Sequence, residues 1–169
     1  PTRKKPVDGE QNYLTILKSS GITKIITTNF DTVIEDHLGL KNTRITLPST
    51  SIDSGTLRKY FNQKGKMLIK LHGTFDDADS IILTTTQFKS SYCDKKNAIV
   101  GLLKHIWQNS TLLFMGCGLR KDPLIEKMVK FAEQEKWQWH YAILEYPNKD
   151  VETVKRNLAG MHILPIWFD

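Results

Sequence analysis

Short aliphatic or β-branched runs alternate with amphipathic helical stretches along nearly the whole chain, and this alternation most restricts the fold. Residues 25–28 form a β-branched run. Residues 67–71, 111–115, 140–144 and 162–167 are further strand-length runs, and residues 44–47 and 81–84 are weaker ones. Between them lie stretches with helical spacing. Residues 11–19 carry Tyr13, Leu14, Ile16 and Leu17 and stop before Gly21, a residue suited to ending a helix. Residues 32–38 follow Asp31, placed as an N-cap. Residues 97–107 read as an amphipathic helix. Residues 122–136 read as another, with Pro123 at its first position and Leu124, Ile125, Met128, Val129 and Ala132 facing inward. A last helix spans about 150–158. Strands alternating with helices predict an α/β fold, a Rossmann-like three-layer sandwich with a mostly parallel sheet and helices on both faces. Residues 48–55 and 76–79 read as surface loops.

Length and composition bound the rest. A chain of 169 residues fits one domain, expected here over residues 11–169, after a flexible basic segment 1–10 that carries Arg3, Lys4 and Lys5. No apolar run approaches the roughly 18 residues of a membrane span, so no membrane partner is expected. The two cysteines, Cys93 and Cys117, supply neither a Cys-x-x-Cys pair nor a disulfide framework, which fits a reducing cytoplasmic setting and gives no basis for a metal site. A net charge of +6 raises the question of an anionic partner. The lysines are scattered along the chain, however, so they read as a soluble surface and not as a nucleic-acid interface.

Three polar clusters end three of the strands: Thr27-Thr28-Asn29-Phe30-Asp31, Leu71-His72-Gly73-Thr74 and Gly116-Cys117-Gly118-Leu119-Arg120. In open α/β sheets ligands bind beyond the carboxyl ends of the strands. An Asn, an Asp and a His brought to one rim therefore form a candidate site, although such residues also brace loops. His37, His105, His140 and His162 read as surface or packing histidines, Trp137 and Trp139 as a packing pair, and Trp167 as core. Cys117 has no base in the sequence that would make it a nucleophile.

At these clusters the sequence resembles the sirtuin-like NAD-cleaving domains, particularly the bacterial branch found in anti-phage defence proteins. Thr27 to Asp31 is similar to the family's strand-end motif and Lys70-Leu71-His72-Gly73 to its histidine motif. Leu112 to Gly116, followed by Arg120 and Asp122-Pro123, is similar to its third motif. Tyr141 to Leu144 and Ile163 to Ile166 also fit the branch. The resemblance implies an NAD hydrolase that releases nicotinamide and ADP-ribose, with NAD as substrate and no metal. It implies that Asn29 positions the nicotinamide ribose or the attacking water and that His72 is the general base. Thr28, Asp31, Gly116 and Gly118 would contact the dinucleotide.

Two departures bear on this. The family opens with a strand and a Gly-rich diphosphate loop, and nothing before Gln11 resembles them. The expectation is thus an N-terminally truncated domain whose other parts belong to a longer parent chain, and which alone cleaves little or no NAD. Gly118 stands where the family commonly has a serine that bonds a ribose. This departure keeps open an alternative, a non-catalytic module that binds a nucleotide such as ADP-ribose, or a partner protein, on the same scaffold. A homo-oligomer is compatible with either. The deacetylase branch's four-cysteine zinc insert is absent from the sequence, which favours NAD hydrolysis over deacetylation.

Overall fold

The computed structural model describes residues 13–47, 53, 55, 58, 61–93, 98–119, 123–132, 138–147 and 150–168. The chain forms two compact units, residues 1–93 and 94–169. Each is built on a wholly parallel three-stranded sheet, so the fold is the Rossmann-like α/β architecture read from the alternation.

In the first unit, α1 (Tyr13–Ser19) leads into β1 (Lys24–Thr27), α2 (Val33–Leu38), β2 (Arg44–Thr46), β3 (Met67–Lys70) and α3 (Thr85–Tyr92). The strand order is β1-β3-β2, so β3 is paired on both sides and all four of its residues are buried. Ile25, Leu40 and Leu68 form a core cluster, against which Leu17, Ile22, Ile34 and Leu38 pack from the flanking helices and turns. Of the apolar residues that mark 11–19 as a helix, Leu14 is buried and Leu17 packs on this cluster, while Tyr13 and Ile16 are exposed.

Two local expectations are corrected here. Residues 81–84 are not a strand. Ile82 N–H donates to His72 O (3.0 Å), and the segment runs into α3, where Thr84 and Gln87 form a reciprocal capping box. The β-branched residues there reflect loop packing and a helix start. Thr32, not Asp31, occupies the cap position of α2, and it makes no side-chain cap bond. The Asp31 carboxylate does the work from one residue earlier, its Oδ1 accepting the Val33 N–H at 3.1 Å.

In the second unit, α4 (Ala98–Asn109), β4 (Leu113–Met115), α5 (Pro123–Ala132), β5 (His140–Glu145), α6 (Val151–Gly160) and β6 (Ile163–Phe168) follow in turn, with strand order β4-β5-β6. In α4 the buried Ile99, Leu102, Leu103 and Ile106 recur at helical spacing. Leu124, Ile125 and Met128 of α5 are buried, as the sequence pattern predicts. On the sheet, His140, Ala142 and Ile163 are buried, while the alternate residues Leu113, Tyr141, Leu164, Ile166 and Phe168 are exposed. His140 is a packing histidine: its ring meets Trp107 edge-on with centroids 4.3 Å apart. Its Nδ1 accepts the Leu112 N–H at 3.2 Å. Trp139 stacks on His162, centroids 4.9 Å apart. Neither Cys93 nor Cys117 is in a disulfide. Among the described residues, no helix is long and apolar enough to cross a membrane. Segment 1–10, most of the loop 48–55, Arg120, Asp122, residues 133–136 and Trp137 lie outside the described residues.

Candidate functional site

In the first unit, Thr27 of β1 and Lys70 of β3 are register partners in a parallel pair. The ladder extends one step further, with Leu71 N–H donating to Thr27 O at 2.9 Å. Asn29 and His72 each stand two positions beyond that pair, so both leave the same carboxyl edge on neighbouring strands. Thr28 and Asp31 share that turn with Asn29. Asn29 is exposed, and its backbone N–H donates to Thr27 Oγ1 at 3.1 Å. His72 is half-buried.

A buried polar network holds the two turns in place. Lys70 is wholly buried at the end of an otherwise apolar strand, and its ammonium donates to Phe30 O (3.3 Å), to Asp31 O and to Glu35 Oε1 (3.0 Å). The three donors of one ammonium thus fasten the Asn29 turn to β3 and to α2. Glu35, also wholly buried, shares Oε1 with Arg44 Nη1 (3.1 Å), and Arg44 reaches Asp76 Oδ2 at 3.0 Å. The Thr74 hydroxyl donates to Asp76 Oδ1 (2.6 Å). That hydroxyl, together with the Arg44 guanidinium, holds the Asp76 carboxyl below its ordinary range. Phe75 N–H donates to Phe30 O at 2.9 Å, which ties the turn after His72 directly to the turn after Asn29.

Gly73 makes the histidine turn possible. Its φ is +89°, and a Cβ there would lie 2.2 Å from Ser80 O. Only glycine fits this close approach of two backbone segments. Tyr92, wholly buried at the end of α3, donates its hydroxyl to Leu71 O and lies 3.3 Å from His72 Nδ1.

The sequence puts Asn29, Asp31 and His72 at strand ends, as the structure does, but does not reveal the groups that hold their turns. A lysine ending the apolar run Met67-Leu68-Ile69 was a signal for a buried partner. Thr84-x-x-Gln87 was a signal for the helix that brings in Tyr92.

In the second unit, Gly116 and Gly118 follow β4, Gly116 with φ +62°. Past the carboxyl ends of β4 and β5 lies a cavity of about 380 Å³, walled by Cys117, Gly118, Leu144, Val154, Leu158 and Trp167. Trp167 is thus half-buried wall and not closed core. The walls are predominantly apolar, with Glu145 the charged group among them. Among the described residues, no three His, Cys, Asp or Glu side chains gather as a metal site.

A family model described as the SIR2-like domain matches residues 23–166, which covers all three strand-end clusters and both sheets but for the last two residues of β6. The chain belongs to the SIR2-like domain family. SIR2-like domains use NAD, so membership ties this chain to NAD-related function. A search among curated proteins finds no match. Within the SIR2-like domain, the residues singled out from the sequence therefore fall at the carboxyl edge of one parallel sheet (Thr28, Asn29, Asp31, His72) and at that of the other (Gly116, Gly118).

Proposed function

We propose that this SIR2-like domain is the greater part of an NAD hydrolase, converting NAD and water to nicotinamide, ADP-ribose and a proton. The observation that carries the reading is the register of Thr27 with Lys70, which sends Asn29 and His72 off adjacent parallel strands in the same direction. Cleavage of the nicotinamide glycosidic bond builds positive charge on the ribose. Oriented dipoles and a base close to the ring lower that barrier. On this reading the Asn29 carboxamide orients the ribose or the attacking water, and a neutral His72 imidazole takes a proton from a ribose hydroxyl. Asp31 supports the nicotinamide end and Thr28 the adjoining ribose. The role in anti-phage defence, within a longer parent protein that supplies the diphosphate loop, rests on the motif resemblance.

A second reading is favoured by Gly118, which lines the cavity yet has no side chain with which to bond a ribose hydroxyl. It is a non-catalytic module that binds ADP-ribose or a related nucleotide. Incubating the full parent protein, with its activator, with NAD and quantifying products separates the two. The hydrolase releases nicotinamide and ADP-ribose in equal amounts. Saturable ADP-ribose binding with no nicotinamide release overturns the hydrolase in favour of the binder.

A further inference from the structure

The structure assigns Tyr92 a positioning role toward His72: its hydroxyl fixes which ring nitrogen of that imidazole carries the proton. The Tyr92 hydroxyl contacts the backbone oxygen of Leu71 and also His72 Nδ1, the latter at 3.3 Å. A phenol has one proton to give. The Leu71 oxygen can only accept and belongs to a buried residue, so the phenolic proton goes there. The hydroxyl then meets His72 with a lone pair, and Nδ1 must be the donor, as N–H. A neutral imidazole protonated at Nδ1 carries its basic lone pair on Nε2. The same Nδ1–H to oxygen bond persists when Nε2 takes up a proton, so the contact fits both states of a general base.

The surroundings make this arrangement stiff. Tyr92 is wholly buried, its ring meets the imidazole edge-on with centroids 5.6 Å apart, and Phe88, one turn earlier on α3, lies 4.9 Å from the Tyr92 ring and 6.3 Å from the imidazole. The Thr84–Gln87 capping box fixes the start of the helix that delivers both aromatic rings. Tyr92 touches neither ribose nor water in this scheme. It acts only through His72, and the inference rests on His72 being the base proposed above.

The test reads the proton's position directly. In the chain labelled with ¹⁵N-histidine, at a pH where His72 is neutral, long-range ¹H–¹⁵N correlation distinguishes the two tautomers. His72 is expected as the Nδ1–H form in the wild type and as a mixture or the Nε2–H form in Tyr92→Phe. In the parent protein, Tyr92→Phe is expected to lower kcat for nicotinamide release about tenfold or more with KM nearly unchanged, since outer-shell partners of a working histidine contribute on that scale. A wild-type spectrum dominated by the Nε2–H form overturns the inference, even if Tyr92→Phe fails to fold. An unchanged tautomer in a folded Tyr92→Phe variant also overturns it. A wild-type parent that shows the Nδ1–H form yet releases no nicotinamide overturns the hydrolase reading alone and leaves the Tyr92 contact standing.

Discussion

Lys70 Nζ lies 3.0 Å from Glu35 Oε1 with both side chains wholly buried, an ion pair that joins the central strand of the first sheet to the helix following the Asn29 turn. The same ammonium holds the backbone oxygens of Phe30 and Asp31. The pair is therefore part of how the candidate site is held: removing Glu35 strands the buried Lys70 charge, whereas removing Lys70 leaves Glu35 paired with Arg44.

Glu35→Leu is expected to cost about 3–5 kcal/mol, the usual penalty for breaking a buried pair from one side, and Lys70→Met less, because Arg44 still pairs with Glu35. The double variant should lose clearly less than the sum, because neither charge is then left alone, although the oxygens of Phe30 and Asp31 still lack their donor. Urea unfolding of the four proteins checks this. Single variants within about 1 kcal/mol of wild type would show that water reaches the pair.

Gly73→Ala should be among the most damaging single-methyl additions. It imposes a left-handed φ on a residue with a Cβ and drives that Cβ into the backbone at Ser80. Strain and overlap together predict a loss of about 3 kcal/mol or more. An unchanged unfolding midpoint would mean that the 73–80 turn relaxes freely.

His140 links stability to pH. Burial, with a smaller contribution from His162, lowers its pKa from 6.5 to about 4. The unfolded chain therefore binds a proton that the folded chain refuses between those values. This contribution to stability is fully present above about pH 6.5 and falls by about 1.4 kcal/mol per unit on acidification, until it is exhausted near pH 4. Unfolding free energies measured at several pH values for wild type and His140→Phe test the sign: the variant's profile should be flatter across this window. Parallel profiles would assign the acid sensitivity elsewhere.

At the site, His72→Ala should reduce nicotinamide release by the parent protein about 10²- to 10⁴-fold, and Asn29→Ala should also reduce it strongly. Asn29 is exposed and His72 only half-buried, so unfolding midpoints should stay close to wild type. Turnover near wild type in a folded His72→Ala protein would remove the proposed base from the mechanism.

Thr84→Ala removes one half of the capping box on α3 and should cost about 1 kcal/mol. Since α3 carries Tyr92, the variant should also broaden the His72 imidazole resonances. Sharp, unshifted His72 signals would separate the helix start from the site.

By itself the sequence determined the parallel α/β class and the positions of Asn29, Asp31 and His72 at strand ends. Both follow from local periodicity: a β-branched run such as Ile25-Ile26-Thr27 reports a strand, and the polar residues that interrupt it report its end. Periodicity carries no information about which strand lies beside which. Only the tertiary structure decided that β3 lies between β1 and β2, so that the histidine turn and the asparagine turn become neighbours. Helix α3 escaped because its exposed face is polar and only Phe88 and Tyr92 supply apolar anchors, which left Ile81 and Ile82 to suggest a strand instead. The partners of Lys70 and His72 were hidden for the same physical reason. Glu35 lies 35 positions before Lys70 and Tyr92 lies 20 after His72, so their hydrogen bonds exist only once packing has closed those loops around a dry interior.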